Sequence, residues 1–145
     1  MQISVQIPPD WRRLLCVTPF VIVVDAAWYT TWFALKDTGV YPVTIWDDLA
    51  LWAGVLAWLP PALAVSMGEP ATLREALGFG AWVGFLLFAV YSGVELVFDA
   101  EWRASWWSSI VDICWGTFMC GSACCFGFWA HKRCFTPRSE DVEKH

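Results

Sequence analysis

The chain has 145 residues, 58 % of them hydrophobic and 17 % aromatic with 12 Trp, and a mean hydropathy of +0.50. A soluble domain of this size has too little interior for so many large apolar side chains, whereas Trp suits the membrane–water interface. A formal charge of −5 argues against a nucleic-acid partner, which would call for clustered Lys and Arg.

Residues 1–13 read as a short N-terminal head with Pro8-Pro9 and the basic pair Arg12-Arg13. The first apolar stretch, Leu14–Leu35, carries a single charge, Asp25, and has the length needed to cross the hydrocarbon core. A basic pair followed by an apolar run also resembles a signal peptide. Asp25, and the apolar character that continues through Trp28, Trp32 and Phe33, favour a span instead.

Lys36–Asp48 reads as a polar connection whose Asp47-Asp48 would sit at a helix N-terminus. The second span, Leu49–Met67, is uncharged, and Pro60-Pro61 is expected to distort it, since proline lacks an N–H and clashes with the preceding turn. Gly68–Ala76 is a polar link. The third span, Leu77–Phe98, contains Gly80 and Gly84 as G-x-x-x-G, a spacing that admits a second backbone at close range. Packing within one bundle is the default reading of that motif and dimerisation the minority one. Asp99–Ser105 reads as a tight charged turn, the fourth span as Trp106–Ala130, and residues 131–145 as a polar C-terminal tail.

These elements predict an all-α polytopic membrane protein: four transmembrane helices, at about 14–35, 49–67, 77–98 and 106–130, in an up-down bundle. The bilayer is then the first partner, with other membrane subunits or a homo-oligomer possible. Arg12, Arg13, Arg74, Lys132, Arg133, Arg138 and Lys144 fall in the head, second link and tail, against Lys36 and Arg103 in the other two connections. The positive-inside rule therefore places both termini on the cytoplasmic side, or the stromal or matrix side of an organelle.

The six cysteines show no C-x-x-C pair and no clustered His, so they read as small hydrophobes and not as metal ligands. Cys16 and Cys134, beside basic residues, carry a weak palmitoylation signal.

Chemistry concentrates in the acids. Asp112 lies in I-V-D-I-C-W-G-T at Ile110–Thr117, and the same V-D-x-x-W pattern recurs as V-V-D-A-A-W at Val23–Trp28. An Asp at a span centre costs roughly 2.5–3.5 kcal/mol on the insertion scale and usually faces a partner or water. Asp25, Glu95, Asp112 and Tyr91, which lies one turn below Glu95 on the same face, are the candidate proton- or ligand-handling residues. They are expected to converge in the outer half of the bundle if spans one, three and four touch. No Lys, Arg or His lies within a span, and Arg103 at the rim is the nearest candidate counter-charge. The acids are therefore either protonated or matched to something cationic from outside the chain. The alternative is structural glue: Asp25/Trp28 and Asp112/Trp115 are i, i+3 pairs, and an indole N–H can donate to a carboxyl on a neighbouring helix.

V-D-x-x-W in the first span, L-P-P-A-L-A at Leu59–Ala64, A-V-Y-S-G-V-E in the third span and V-D-I-C-W-G-T in the fourth resemble the small four-span membrane proteins known as domain of unknown function 2177. The resemblance covers nearly all of Leu14–Phe128. It points to Asp25, Trp28, Tyr91, Asp112, Trp115, Gly116 and Thr117. The third-span motif of that family reads Y-D-x-x-N; here Ser92 stands for the acid and Glu95 for the amide, which moves the charge by one turn. The resemblance implies fold and topology but no reaction or cofactor.

Three function classes follow: a structural or accessory component of a membrane assembly, a proton- or cation-coupled carrier or ligand-binding protein, and a membrane enzyme. The enzyme is the least favoured, because no nucleophile–base pair is visible, and a bis-His haem is excluded by the lack of His within the spans. No catalytic residue and no metal ligand is assigned.

Overall fold

In the computed structural model, residues 4–5, 10–36 and 58–135 are described. They form a helical architecture with one small strand pair, in the order β1 (Ser4–Val5), α1 (Trp11–Lys36), α2 (Leu59–Ser66), β2 (Gly68–Glu69), α3 (Leu73–Phe98), α4 (Ala100–Ala104) and α5 (Trp107–Phe135). The expected first connection with Asp47-Asp48, the start of the second span at 49–57, and the tail beyond Phe135 lie outside the described residues.

Helix α5 is the centre of the fold. It packs along α3 and α1 and touches α2, whereas α1 and α3 barely meet. Its inward face is built from small residues, Gly116, Cys120, Gly121, Ala123, Cys124, Gly127 and Ala130, with Met119 filling the space among them. Small side chains let helix backbones approach closely where burial of apolar surface offers no gain over lipid. Val17 and Val21 from α1, Ala62 and Val65 from α2 and Ala76 from α3 complete the core. Cys120 and Cys124 pack within it, and all six cysteines are free thiols.

At about 1.5 Å per residue, the 26 residues of α1 and of α3 and the 29 of α5 each exceed the roughly 30 Å hydrocarbon thickness. Helices α3 and α5 are long and apolar enough to cross a membrane, with mean hydropathies of 1.8 and 1.4 over their most apolar windows. Only 17 % of that window of α3 is buried in the protein, unlike the largely buried core helix of a soluble domain.

Several boundaries differ from the sequence expectation, each for a local reason. Helix α3 starts at Leu73 because Thr72, in an extended conformation, caps it: its hydroxyl accepts from Glu75 N–H at 3.2 Å, and Glu75 Oε2 accepts from Ala71 N–H at 2.9 Å. The preceding link also forms an edge, Ser4–Val5 pairing antiparallel with Gly68–Glu69. Pro60 and Pro61 follow the turn at Trp58, where α2 begins. They occupy the first turn of α2, where a missing N–H would have had no partner anyway.

The expected turn at 99–105 is a short helix, α4. Arg103 from it donates to Val97 O at 2.6 Å and Leu96 O at 3.3 Å, closing the C-terminus of α3. Arg103 thus spends its charge on carbonyl groups and not on the buried acids.

Candidate functional site

The α3–α5 seam is set by glycines. A side-chain carbon on Gly84 would collide with the carbonyl of Gly116 and lie 2.9 Å from Cys120 Cβ, and one on Gly80 would meet the carbonyl of Cys120 and Cys124 Cβ at 2.7 Å. Gly116 is closed on the same side by the Phe88 ring. The G-x-x-x-G motif is therefore consumed inside this chain. Thr117, next along α5, donates its hydroxyl to Ile113 O of its own helix at 2.7 Å.

Towards the α4 end of this seam the interface becomes polar. Ser92 and Glu95 on α3 face Ser108, Ser109 and Asp112 on α5, all buried. Glu95 lies close enough to Asp112 for their charges to interact, and Asp99 approaches Glu95. Tyr91 shares a side-chain hydrogen bond with Glu95 from a position 47 % exposed, so it meets the cluster from the rim. Ser92 Oγ, Ser108 Oγ and Glu95 Oε2 are buried without a hydrogen-bond partner among the described residues. Sequence reasoning missed the serines. The readable signal was Ser108, Asp112, Gly116 and Cys120 at a spacing of four, one stripe of a helix.

Asp25 is placed elsewhere. It is buried on α1, and the α5 side chain within reach of its charge is Cys120. Cys120 is eight residues beyond Asp112, about 12 Å along the helix axis. What joins the two V-D-x-x-W segments is their tryptophans: the Trp28 and Trp115 rings stack with centroids 4.5 Å apart and planes 11° from parallel. Phe118 tilts against Trp115 at 5.9 Å. The expected indole-to-carboxyl bond is absent at Trp115, whose buried Nε1 has no partner among the described residues.

Among the described residues no group of three His, Cys, Asp or Glu is placed to hold a metal ion. Cys134 is exposed and Cys16 half-buried at the same end of the bundle. No protein-family model, curated protein or solved structure matches the chain.

Proposed function

We propose that this is an integral membrane protein, four spans in an up-down bundle with both termini on the cytoplasmic side, serving as a structural or accessory component of a membrane assembly. The observation that carries the reading is helix α3. Its glycine face is spent on α5, while Leu77, Trp82, Phe85, Leu86, Val90 and Val94 remain exposed. In a bilayer that face meets lipid or another subunit, which can be a second copy of this chain. The stacked tryptophans support the same reading, because they make the repeated motif a packing device. The family resemblance agrees on topology and adds no reaction.

The test is the particle mass in mild detergent, by sedimentation, for the wild type and Phe85→Ala/Val90→Ala. An assembly larger than one chain that dissociates in the variant supports the proposal. A monomer in both removes it.

A second reading is favoured by one observation, the unpartnered Ser92, Ser108 and Glu95 oxygens beside Asp112. These groups suit a proton or a small cation held between α3 and α5, with Asp25 outside the site. Asp112→Asn and Glu95→Gln would then abolish flux or cation binding in reconstituted vesicles while Asp25→Asn preserves it. Equal behaviour of all three variants and the wild type would eliminate this reading.

A further inference from the structure

At the opposite end of the bundle, where α1 begins and α5 ends, a cavity of about 170 Å³ opens between Arg13, Pro70, Ala71, Phe128, His131 and Lys132. It is far larger than the roughly 10–15 Å³ that one water needs on the same measure. Neither the buried acids nor the aromatic seam involves it.

Its walls are pre-arranged. Asp10 caps α1 by accepting from Arg12 N–H at 3.0 Å, and its other oxygen lies 3.3 Å from His131 Nε2 and 3.9 Å from Arg13 Nε. One carboxylate thus orients two of the lining side chains. Arg13 donates one N–H to the carbonyl of Gly68, and its buried Nε has no hydrogen-bond partner among the described residues. A guanidinium has five N–H donors, so the side chain is anchored with donors to spare. Lys132 has no ion-pair partner among the described residues.

The surrounding charge is favourable as well. Residues 10–13, 68–75 and 131–135 contain five basic side chains (Arg12, Arg13, Arg74, Lys132, Arg133) and three acidic ones (Asp10, Glu69, Glu75), a net +2 with His131 neutral. Two of those acids are engaged, Asp10 as described and Glu75 by Ala71 N–H.

The depth of the cavity is marked by aromatic rings. Arg12 lies over Trp11 and Phe135, 5.4 and 5.3 Å from their centroids, and Arg133 lies 4.7 Å from that of Trp129. Exposed Trp with basic side chains stacked on it is the composition of a membrane–water interface, the level of lipid headgroups. Phe128 and Pro70 add an apolar wall beside the basic one.

We propose that this cavity binds an anionic phosphate group, with Arg13 and Lys132 as the donors and His131 as an additional one when protonated. The chemistry fits the headgroup of an anionic phospholipid or a free phosphate, and basic pockets between spans on the positive side of a membrane hold lipid headgroups in this way. The lipid as source rests on the membrane reading above; the phosphate chemistry rests on the cavity alone.

The full chain, purified in neutral detergent, is presented with phosphatidylglycerol or phosphatidylcholine and examined by native mass spectrometry. Inorganic phosphate is tested separately by thermal shift. The wild type retains one phosphatidylglycerol per chain in preference to phosphatidylcholine. Lys132→Gln weakens that retention about fivefold, and Arg13→Gln/Lys132→Gln removes the preference. Lys132 is exposed, so its variant keeps the wild-type melting profile, which is checked alongside. Stabilisation by inorganic phosphate alone, lost in Lys132→Gln, supports the site with a free anion as its source. Equal retention of the two lipids without a phosphate effect, or wild-type binding by Lys132→Gln, overturns it. A chain that stays soluble without detergent defeats the membrane reading and leaves the phosphate arm to judge the cavity.

Discussion

Helix α5 meets α3 backbone to backbone and meets α1 ring to ring. Along α3 the contact is made through Gly80 and Gly84, where a carbonyl of α5 stands in the place of any side chain, and through Gly116 under the Phe88 ring. Along α1 it is made through Trp28 on Trp115 and Phe20 on Phe126, the latter pair stacked at 4.9 Å, with Val17 over Gly127. The first seam has no slack, because carbonyls cannot move without the helix. The second is formed by side chains that can adjust. Polar groups follow the same division: the rigid seam holds Glu95 and Asp112 together, and the ring seam isolates Asp25.

The largest effect should come from enlarging the rigid seam. Gly84→Leu forces α3 away from the Gly116 carbonyl and should cost at least the upper end of the roughly 1–3 kcal/mol typical of overpacking. Gly127→Ala meets only the Val17 side chain and should cost less, about 1 kcal/mol, the lower end of that range. Thermal unfolding in detergent compares them, and equal losses would erase the distinction between the seams.

The ring seam comes next. A double-mutant cycle on Trp28→Ala and Trp115→Ala should return a coupling of about 0.5–1.5 kcal/mol, the usual worth of an aromatic pair. Additive losses would mean that the rings do not support each other. Trp115→Phe keeps a ring and removes an N–H that has no partner, so it should retain most of that coupling.

Much of this was legible in the sequence because the signals were local. Apolar length located α1, α3 and α5, and G-x-x-x-G identified a close helix crossing without naming the partner helix. The ends were less legible, since they depend on single contacts: Thr72 on Glu75 N–H, and Arg103 on the Val97 carbonyl. Convergence of the four candidate residues was the hardest expectation to judge. Asp25 and Asp112 share a sequence pattern, yet α1 and α5 are aligned so that the tryptophans meet and the carboxyls do not. Depth along each helix was readable, but rotation about each axis was not. That rotation leaves Tyr91 half in the open and places Ser108 in the interior.

The smallest effects concern the acids. Interhelical polar contacts in membranes average about 0.6 kcal/mol, so Asp25→Asn, Asp112→Asn and Glu95→Gln should each change stability on that order. Coupling should appear between Glu95 and Asp112, whereas Asp25 and Asp112 should add to within about 0.5 kcal/mol, as separated sites do. Strong coupling between the two aspartates would contradict their separation by the tryptophan pair.

The proposal to be tested is that the repeated V-D-x-x-W motif joins helices through its tryptophans within a larger assembly, its acids carrying no ion. The direct measurement reads particle mass and cation flux on one preparation, before and after reconstitution, for the wild type and Asp25→Asn/Asp112→Asn. We predict that both proteins form the same oversized particle and that vesicles containing either conduct no more than empty ones. Flux carried by the wild type and abolished in the double variant, with the particle intact, would contradict the account.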